Sequence, residues 1–375
     1  MSQIVFVTGS RSEYSLMRRL LLDLKKENWI TVIATGMHLS PKFGKTISEI
    51  EKDGFEIKKV DSLLDTDTLG GMIKSLSISL HGIASAIEEL SPELILIEGD
   101  RGEALAGALA GAYLNIPVCH HGGGDSSGSV DNKLRSATSM LSDYHLVGNI
   151  DSYNNLLNMG IPKNRIFIVG EPGIDDIISG AFEPLDVICS KYNLDPKQPS
   201  VLLVFHPNTE EYGDIDKQIT ELMMAIESLN FRTIAVYSNA DAGGQLINQR
   251  IAEASELLPC ISIYPNLSRR DFLGLMNVCS VMVGNSSAGI VELPSFKKPF
   301  VCVGTRQKGR LKAKNVFEVE ARKSDIISAI QTSIYDEDFK RELQQLENPY
   351  GDGRCSLKVC RIIQKILEKP NDHDK

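Results

Sequence analysis

The sequence of 375 residues contains no apolar run that approaches the roughly 18 residues needed to cross a bilayer. Its first residues, MSQIVFVTG, show neither a basic region nor a cleavage site. We therefore expect a cytoplasmic protein with no membrane partner. An excess of positive charge is missing too, because the formal net charge is −9. A nucleic-acid partner would demand a basic surface, so this charge argues against one.

Cysteine pairs with the spacing of a metal or redox motif are also missing. The seven cysteines are odd in number, include no C-x-x-C pair and mostly lie inside apolar runs. They are Cys119, Cys189, Cys260, Cys279, Cys302, Cys355 and Cys360. This pattern indicates buried thiols, and favours neither disulfides nor a zinc site.

A third absence concerns the loop after the first predicted strand, Ile4–Thr8. That loop reads T-G-S-R-S-E-Y, from Thr8 to Tyr14, where a nicotinamide enzyme would show G-x-G-x-x-G. The ordinary dinucleotide fingerprint is therefore lacking. Arg11 in this loop has two interpretations of similar weight, as a bidentate phosphate clamp or as a solvent-exposed residue beside a helix cap.

Short β-branched runs alternate with helical patterns along most of the chain, and the length suffices for two domains. Seven strands are predicted before a polar, proline-bearing connection around Phe182–Lys197, and five after it. This alternation predicts an α/β fold with parallel sheets covered on both faces. We expect two Rossmann-like doubly wound domains, residues 1–175 and 185–352, and a final helical segment at 353–370. Such domains bind ligands in the cleft at the carboxyl ends of their strands.

The stretch VGNSSAGIVE, Val283 to Glu292, predicts the end of a buried strand and the first turns of a helix. Free backbone N–H groups and the positive end of the helix dipole make such a turn a seat for phosphate. Ser286 and Ser287 add hydroxyl donors, and Glu292 could reach a neutral hydroxyl group of the same ligand. An ordinary N-capped helix is the alternative, because Ser and Asn are preferred there for structural reasons alone.

The basic run RQKGRLKAK, Arg306 to Lys314, follows the next predicted strand. A charge run is usually a solvated face, and that interpretation stays open here. Because it follows the strand next to the GNSSAG turn, two loops that could each bind an anion lie side by side. This strengthens the hypothesis that the turn binds a phosphate group.

Charged residues also follow the strands of the first half. Gly99-Asp100-Arg101 comes directly after the buried strand LILIE, and His120-His121-Gly122-Gly123-Gly124-Asp125 ends the next strand, with Asp131 beyond it. Neighbouring carboxylates pull each other's pKa values apart, so Asp100, Asp125 and Asp131 are a candidate general acid/base set.

Histidines give weaker signals. His120 and His121 point to opposite faces of a strand and cannot easily share one ion, so a metal site is the weaker interpretation. His206, in F-H-P after another strand, is either a phosphate contact, an acid/base group or a core histidine held by backbone.

Eight motifs in order, from about residue 3 to about residue 320, resemble the hydrolysing UDP-N-acetylglucosamine 2-epimerases of bacterial sialic and legionaminic acid pathways. They are T-G-S-R-S-E-Y, T-G-M-H-L-S, G-D-R, G-x-P-G-x-D, F-H-P, N-A-D-A-G-G, G-N-S-S-A-G-I-V-E and R-Q-K-G-R-L. The resemblance implies a GT-B-type architecture whose last helix returns to the first domain. It also implies a UDP-sugar substrate, no cofactor, and association into homodimers or homotetramers.

The reaction implied by the resemblance is anti elimination of UDP to a 2-acetamidoglucal, followed by hydration to the manno-configured sugar. Asp100 and Asp131 match catalytic acids of the family, and we add Asp125 and His206 as catalytic candidates. The residues expected to bind substrate or UDP lie in strand-end loops: Arg11, Ser15, Arg101, His206, Asn239, Gly284, Asn285, Ser286, Ser287, Glu292, Arg306 and Lys308.

The chain departs from the family pattern at the first-half loop. Gly122 stands where some members have a catalytic Glu, Asp125 is shorter than the usual Glu, and Ser136 replaces a His. Either Asp125 and Asp131 take over the proton transfers, on a bulkier sugar such as UDP-2,4-diacetamido-2,4,6-trideoxyglucose, or turnover is slow or absent. A GT-B glycosyltransferase and a UDP-sugar-binding protein without catalysis remain as alternatives.

Overall fold

The structure is a computed structural model that describes residues 1–368. The first half forms a parallel sheet of seven strands in the order β3-β2-β1-β4-β5-β6-β7. The strands are β1 Gln3–Thr8, β2 Trp29–Thr35, β3 Glu56–Val60, β4 Leu94–Glu98, β5 Val118–His121, β6 Tyr144–Val147 and β7 Ile166–Ile168. All five residues of β4 are buried, as an uninterrupted apolar strand between two helical layers requires.

Helices cover both faces of this sheet, and separate apolar clusters fill the space on each side. The helices are α1 Arg11–Leu24, α2 Ile47–Lys52, α3 Leu69–Leu90, α4 Gly102–Leu114, α5 Asp131–Leu141, α6 Ile150–Asn158 and α7 Pro172–Ile178. A complete capping box at Ser10 and Glu13 fixes the start of α1, so the loop after β1 enters the helix in one conformation.

The second half forms a parallel sheet of six strands in the order β10-β9-β8-β11-β12-β13. The strands are β8 Ser200–Val204, β9 Arg232–Val236, β10 Ile261–Tyr264, β11 Val281–Gly284, β12 Phe300–Val303 and β13 Val316–Val319. The helices are α8 Leu185–Tyr192, α9 Ile215–Leu229, α10 Gly244–Leu257, α11 Arg269–Val278, α12 Ala288–Val291, α13 Lys323–Tyr335 and α14 Glu337–Gln344. The twelve predicted strands are all present; the edge strand β13 was not predicted.

The strand order reverses direction between β1 and β4 in the first sheet and between β8 and β11 in the second. Crossovers on the two sides of such a switch point leave in opposite directions, which opens a crevice at the carboxyl ends of the strands. The switch point of the first sheet therefore exposes the loops after Thr8 and Glu98. That of the second sheet exposes the loops after Val204 and Gly284.

The last described helix, α15 Cys355–Leu367, packs against α1 and α7. Its residues Cys355, Val359 and Ile363 are buried in the same cluster as β1 of the first sheet. Residues 369–370 of the predicted segment 353–370 lie outside the described part of the chain. Across the described part of the chain, residues 1–368, no helix combines the length and the apolar character that a membrane span requires. The seven cysteines, which all lie in this part, are free thiols.

The helix predicted after the GNSSAG turn is much shorter than its sequence pattern indicated. α12 has a single turn, and a 3₁₀ turn over Leu293–Phe296 follows it. Pro294 cannot donate an N–H and disfavours a helical conformation in the residue before it, so the α-helix cannot continue. Glu292 consequently caps the carboxyl end of the helix, whereas the sequence pattern placed it within the first turns.

Candidate active site

One cleft runs between the two sheets and is lined by the strand-end loops of both. Twelve of the fifteen residues predicted for the site line it: Arg11, Ser15, Asp100, Arg101, Asp125, Asp131, His206, Asn239, Ser286, Ser287, Glu292 and Arg306. Residues separated by most of the chain meet there because both switch points open toward the same space.

The three remaining predicted residues do not line the cleft. Lys308 is exposed and its Cβ packs beside Gly128, so its role as a UDP ligand stays a prediction. Asn285 lies behind the wall, where its amide accepts from His206 N at 2.7 Å and donates to His206 O at 2.8 Å. Gly284 has φ +134°, and a Cβ there would approach the carbonyl oxygen of Val204 to 1.9 Å. Gly284 and Asn285 therefore hold the loop in place.

His206 lies on the second-sheet wall as a neutral ring. Burial, followed by the positive charge of Arg306, lowers the pKa of His206 to about 3. Its Nδ1 accepts a hydrogen bond from Asn239 N at 3.4 Å and lies 3.3 Å from Ser238 Oγ. The ring hydrogen is then on Nε2, which makes His206 a neutral donor, while a protonated His206 acting as an acid is disfavoured.

Spare donors lie on both sides of the cleft. Nη1 of Arg11, Oγ of Ser15 and Nε of Arg306 are buried without a hydrogen-bond partner in residues 1–368. Burial lowers the pKa of Arg11 to about 10, so the guanidinium still carries its charge at neutral pH. Buried donors without partners are costly, and a bound oxygen-rich anion would satisfy them.

Glu292 faces the cleft but is already paired. Its Oε1 lies 2.5 Å from Nη2 of Arg269, which also donates to the carbonyl oxygen of Gly173 at 3.0 Å. The predicted contact of Glu292 with a ligand hydroxyl therefore competes with a buried ion pair, and Arg269 is a lining residue that sequence reasoning missed.

The three candidate acids each face a different arginine. Asp100 pairs with Arg135. Asp125 lies 3.0 Å from Arg310 Nη1. Asp131 lies 3.4 Å from Arg306 Nη2 and accepts from Ser129 Oγ at 2.8 Å. The three acids thus share the cleft without forming one hydrogen-bonded cluster.

Asp100 and Asp131 differ in pKa because their surroundings differ. Burial would raise the pKa of Asp100, but Arg135 and three further arginines outweigh it and hold that pKa below its usual value. Burial and the neighbouring charge of Asp100 raise the pKa of Asp131 to about 6. Asp131 is therefore suited to gain and lose a proton near neutral pH, whereas Asp100 stays ionised.

A second group of titratable residues lines the same cleft and was not predicted as a group. Ligand atoms of Glu98, His121 and Glu171 all lie within 4.8 Å of one another, a spacing that a metal ion could use. His121, however, directs Nδ1 at Glu98 Oε2 at 2.6 Å and Nε2 at the carbonyl oxygen of Gly170 at 3.1 Å. With both nitrogens donating, the ring offers no lone pair, so this arrangement does not fit a metal ion.

Residues missed by sequence reasoning gave faint signals at best. Glu98 ends a strand that is otherwise apolar, which is an unusual place for a carboxylate. Glu171 stands inside the G-E-P-G loop, and Arg310 belongs to the basic run. Arg269 opens α11 with no signal that separates it from any exposed arginine.

Comparison with known proteins gives a consistent result. The family model described as UDP-N-acetylglucosamine 2-epimerase matches residues 22–364. The chain is 36% identical to a hydrolysing UDP-N,N'-diacetylbacillosamine 2-epimerase of Legionella pneumophila, covering 98% of this chain and 99% of that protein. A GDP/UDP-N,N'-diacetylbacillosamine 2-epimerase (hydrolysing) of Campylobacter jejuni is 32% identical, covering 86% of this chain and 85% of that protein.

Solved structures show the same fold. A UDP-GlcNAc 2-epimerase of Neisseria meningitidis bound to UDP-GlcNAc superposes with a TM-score of 0.81 at 20% identity, covering 97% of this chain and 100% of that chain. A Staphylococcus aureus protein solved with UDP superposes with a TM-score of 0.79 at 21% identity, covering 99% of this chain and 100% of that chain. At these identities the likeness establishes the fold, two Rossmann-like halves in the GT-B arrangement.

Proposed function

The chain belongs to the UDP-N-acetylglucosamine 2-epimerase family, and we propose that it hydrolyses UDP-N-acetylglucosamine to N-acetylmannosamine and UDP with inversion at C2. One observation carries this proposal: the differently tuned acids Asp100 and Asp131 lie in the same cleft as the donor-rich wall around Ser286 and Ser287. An elimination needs both a proton acceptor at the sugar and a firm hold on the leaving diphosphate.

We assign the nucleotide to the second-sheet wall and to the donors beside it. Ser286, Ser287 and the neutral donor His206 face the cleft there, and Arg11, Ser15 and Arg306 offer polar atoms that have no partner in the described part of the chain. α12 is a single turn, so its dipole contributes less than that of a long helix. Hydroxyl and guanidinium donors therefore carry most of the attraction for the diphosphate in this proposal.

We assign the sugar chemistry to the first-sheet wall. Asp131, ionised above a pH of about 6, accepts H2 while the bond from C1 to the UDP oxygen breaks and UDP leaves with the electron pair. The 2-acetamidoglucal then gains the oxygen of water at C1 and a proton at C2. Asp100 remains ionised and stabilises the cationic charge that develops at C1, and Asp125, paired with Arg310, shapes the sugar end of the cleft.

A second substrate has specific support. The relatives from Legionella pneumophila and Campylobacter jejuni are named for UDP-N,N'-diacetylbacillosamine, a sugar with an additional acetamido group at C4. Gly122 presents no side chain toward the cleft that it lines, which leaves room beside the sugar. We therefore propose this UDP-2,4-diacetamido-2,4,6-trideoxyglucose as the competing substrate for the same reaction.

One experiment tests the function and ranks the two sugars. Each UDP-sugar is incubated with the protein in D₂O, and products are followed by NMR. Deuterium at C2 of a manno-configured free sugar, with release of UDP, is the expected result. Release of UDP only when an acceptor is added would instead indicate a glycosyltransferase. Ligand-induced thermal stabilisation with no turnover of either sugar would indicate a binding protein and would overturn the proposal.

We also propose a cytoplasmic homodimer or homotetramer. Seven free thiols suit a reducing compartment. α3 and α4 pack together and expose large apolar side chains on their outer surface, with Ile73 exposed by 62% and Tyr113 by 85%. Light scattering coupled to gel filtration should show an oligomer, which Ile73→Asp combined with Tyr113→Asp should dissociate. A wild-type monomer at micromolar concentration would contradict the proposal.

A further inference from the structure

The absent side chain of Gly122 leaves a gap at the sugar end of the cleft. Gly122 has φ +77°, and a Cβ built there would lie 3.5 Å from Oε1 of Glu98. The space beside position 122 is thus bordered by a carboxylate that comes from the end of β4, one strand away. A carboxylate is therefore present beside this position although residue 122 cannot supply one.

Glu98 is tied to a buried charged histidine. His121 is fully buried, and its two nitrogens face Glu98 Oε2 and the carbonyl oxygen of Gly170. A carbonyl and a carboxylate only accept hydrogen bonds, so both nitrogens must carry hydrogen and the ring is an imidazolium. Burial would lower the pKa of His121, but the charge of Glu98, joined by that of Glu171 when Glu171 is ionised, raises it well above its usual value.

The neighbouring histidine of β5, His120, is neutral, so the positive charge lies on only one face of the strand. His120 directs Nε2 at the carbonyl oxygen of Gly99 at 2.8 Å, but its Nδ1 lies 3.2 Å from Ser139 Oγ, which can donate. Burial lowers the pKa of His120 to about 3, so this ring is neutral. The positive charge at the end of β5 therefore belongs to His121 alone.

The third member of the group, Glu171, faces the cleft with its carboxyl free. Glu171 lines the cleft together with Gly122 and Asp125. Its Oε1 lies so close above Gly148 that a Cβ there would approach it to 2.2 Å. No hydrogen bond within residues 1–368 reaches this carboxyl, whose charged neighbours are His121, Glu98, Asp125 and Arg310. Burial, the largest influence, raises the pKa of Glu171 to about 8.

Glu13 is another buried glutamate with a raised pKa, and its hydrogen bonding differs from that of Glu171. Burial also raises the pKa of Glu13 to about 8. Its Oε2, however, accepts from Gly9 N at 2.8 Å and from Ser10 N at 2.9 Å as part of the capping box of α1. Glu13 is thereby held by backbone and serves the fold. Both glutamates line the cleft and both have a raised pKa, but the Glu171 carboxyl accepts no backbone hydrogen bond within residues 1–368.

We propose that Glu171, which lies beside the Glu98–His121 ion pair, is a further catalytic residue that delivers the proton to C2 during hydration of the glycal. This inference rests on the proposed 2-epimerase function and adds a residue to it. Inversion at C2 requires that a proton leave from one face and another arrive on the opposite face, as long as the intermediate keeps its orientation. The group that takes H2 cannot then also supply the new proton.

The step balances without a further reagent. The neutral Glu171 carboxyl gives its proton to C2 of the glycal, and the oxygen of a water molecule bonds to C1. The proton lost by that water passes to solvent through the cleft, and the Glu171 carboxylate regains a proton from the same solvent. The adjacent imidazolium stabilises the carboxylate that forms, which lowers the barrier to donation.

The test measures the ratio of 2-acetamidoglucal to manno-configured sugar among the products, with Glu171→Gln as the variant. Elimination should continue while hydration slows, so we expect this ratio to rise at least about tenfold over the wild type. Glu93→Gln, at the opposite end of β4 and exposed, is the matched control and should leave the ratio unchanged. A Glu171→Gln protein that binds UDP with an unchanged product ratio overturns the role of Glu171, whatever its total rate.

A second readout uses the wild type alone and does not depend on how the variant folds. Hydration requires protonated Glu171, so the share of glycal should rise as pH increases through about 8. His121→Gln removes the cation and should also raise the glycal share, while Glu171→Asp should restore part of the hydration rate. A pH-independent product ratio contradicts the proposal. Wild-type protein that releases no UDP from either sugar overturns the proposed function itself, and this inference with it.

Discussion

The two walls of the cleft are built from the same kind of sheet edge but carry different chemistry. The second-sheet wall presents hydrogen-bond donors, among them the charged Arg306 and the neutral His206, whose backbone N and O both bond to the Asn285 amide. The first-sheet wall presents carboxylates, and the arginines that pair with Asp125 and Asp131 come from the opposite sheet. In the proposed function this difference becomes a division of roles, in which one wall binds the leaving group and the other transfers protons.

The largest expected effect comes from removing a carboxylate charge from the first-sheet wall, with the residues of the second-sheet wall unchanged. Asp100→Asn and Asp131→Asn each keep the shape of the side chain and remove its charge. We expect each to lower kcat by about 10³-fold, the usual scale of lost acid–base catalysis, while the Kd for UDP stays within about threefold. UDP release and isothermal titration calorimetry measure the two quantities. Near wild-type kcat in either variant would remove that aspartate from the mechanism.

The second prediction compares the loss of thermal stability when alanine replaces Gly284 or Gly99, the glycines at the two switch points. Gly284 and Gly99 both have positive φ, but a Cβ at Gly284 would meet backbone whereas nothing lies within 4 Å of a Cβ at Gly99. We expect Gly284→Ala to lower Tm by about 10 °C and Gly99→Ala by about 3 °C. Thermal unfolding followed by circular dichroism measures both. Equal shifts would show that the backbone contact at Gly284 relaxes without cost.

A smaller effect is expected when hydrogen-bond donors are removed from the second-sheet wall and the first-sheet wall is left unchanged. The double variant Ser286→Ala, Ser287→Ala loses two hydroxyl donors, each worth about 1 kcal/mol for a typical hydrogen bond. The Kd for UDP should rise about thirtyfold, with KM following it, while kcat changes by less than about threefold. A drop in kcat comparable to that of Asp131→Asn would contradict the division between the walls.

The smallest effect is expected outside the cleft. Lys308→Ala removes a charge from the basic run, but the side chain is exposed and does not line the cleft. Its long-range contribution is screened by salt at physiological ionic strength. The Kd for UDP should therefore change by less than about twofold. Arg306→Ala, two residues earlier in the same loop, is the comparison and should weaken UDP binding by at least about tenfold.

Local sequence patterns accounted for the fold where burial dominates. LILIE predicts β4 residue for residue, because a strand buried on both faces must be continuously apolar. β13 escaped prediction because it is a half-exposed edge strand, where VFEV carries little of that signal. The early end of α12 follows from Pro294, whose effect is readable in the sequence but was outweighed by the apolar periodicity.

The site was less predictable for a physical reason. Individual loops were found because a charged residue after a buried strand is rare. The partners of those residues were not found, because strand pairing decides them: His121 meets Glu98 across 23 residues and Gly170 across 49. The family resemblance carries over only the residues that its motifs fix. Glu98 lies outside those motifs, and Glu171 is a variable position of G-x-P-G-x-D.

The ion pair between Arg306 and Asp131 joins the two walls across the cleft, with 3.4 Å between its atoms. In the proposed complex the diphosphate draws on the same guanidinium, so nucleotide and carboxylate compete for one counter-charge. Arg306 lowers the pKa of Asp131, and its partial withdrawal would raise that pKa. Thermodynamic reciprocity then requires that protonation of Asp131 strengthen the binding of UDP. The leaving group is thus itself a modulator of the base that expels it.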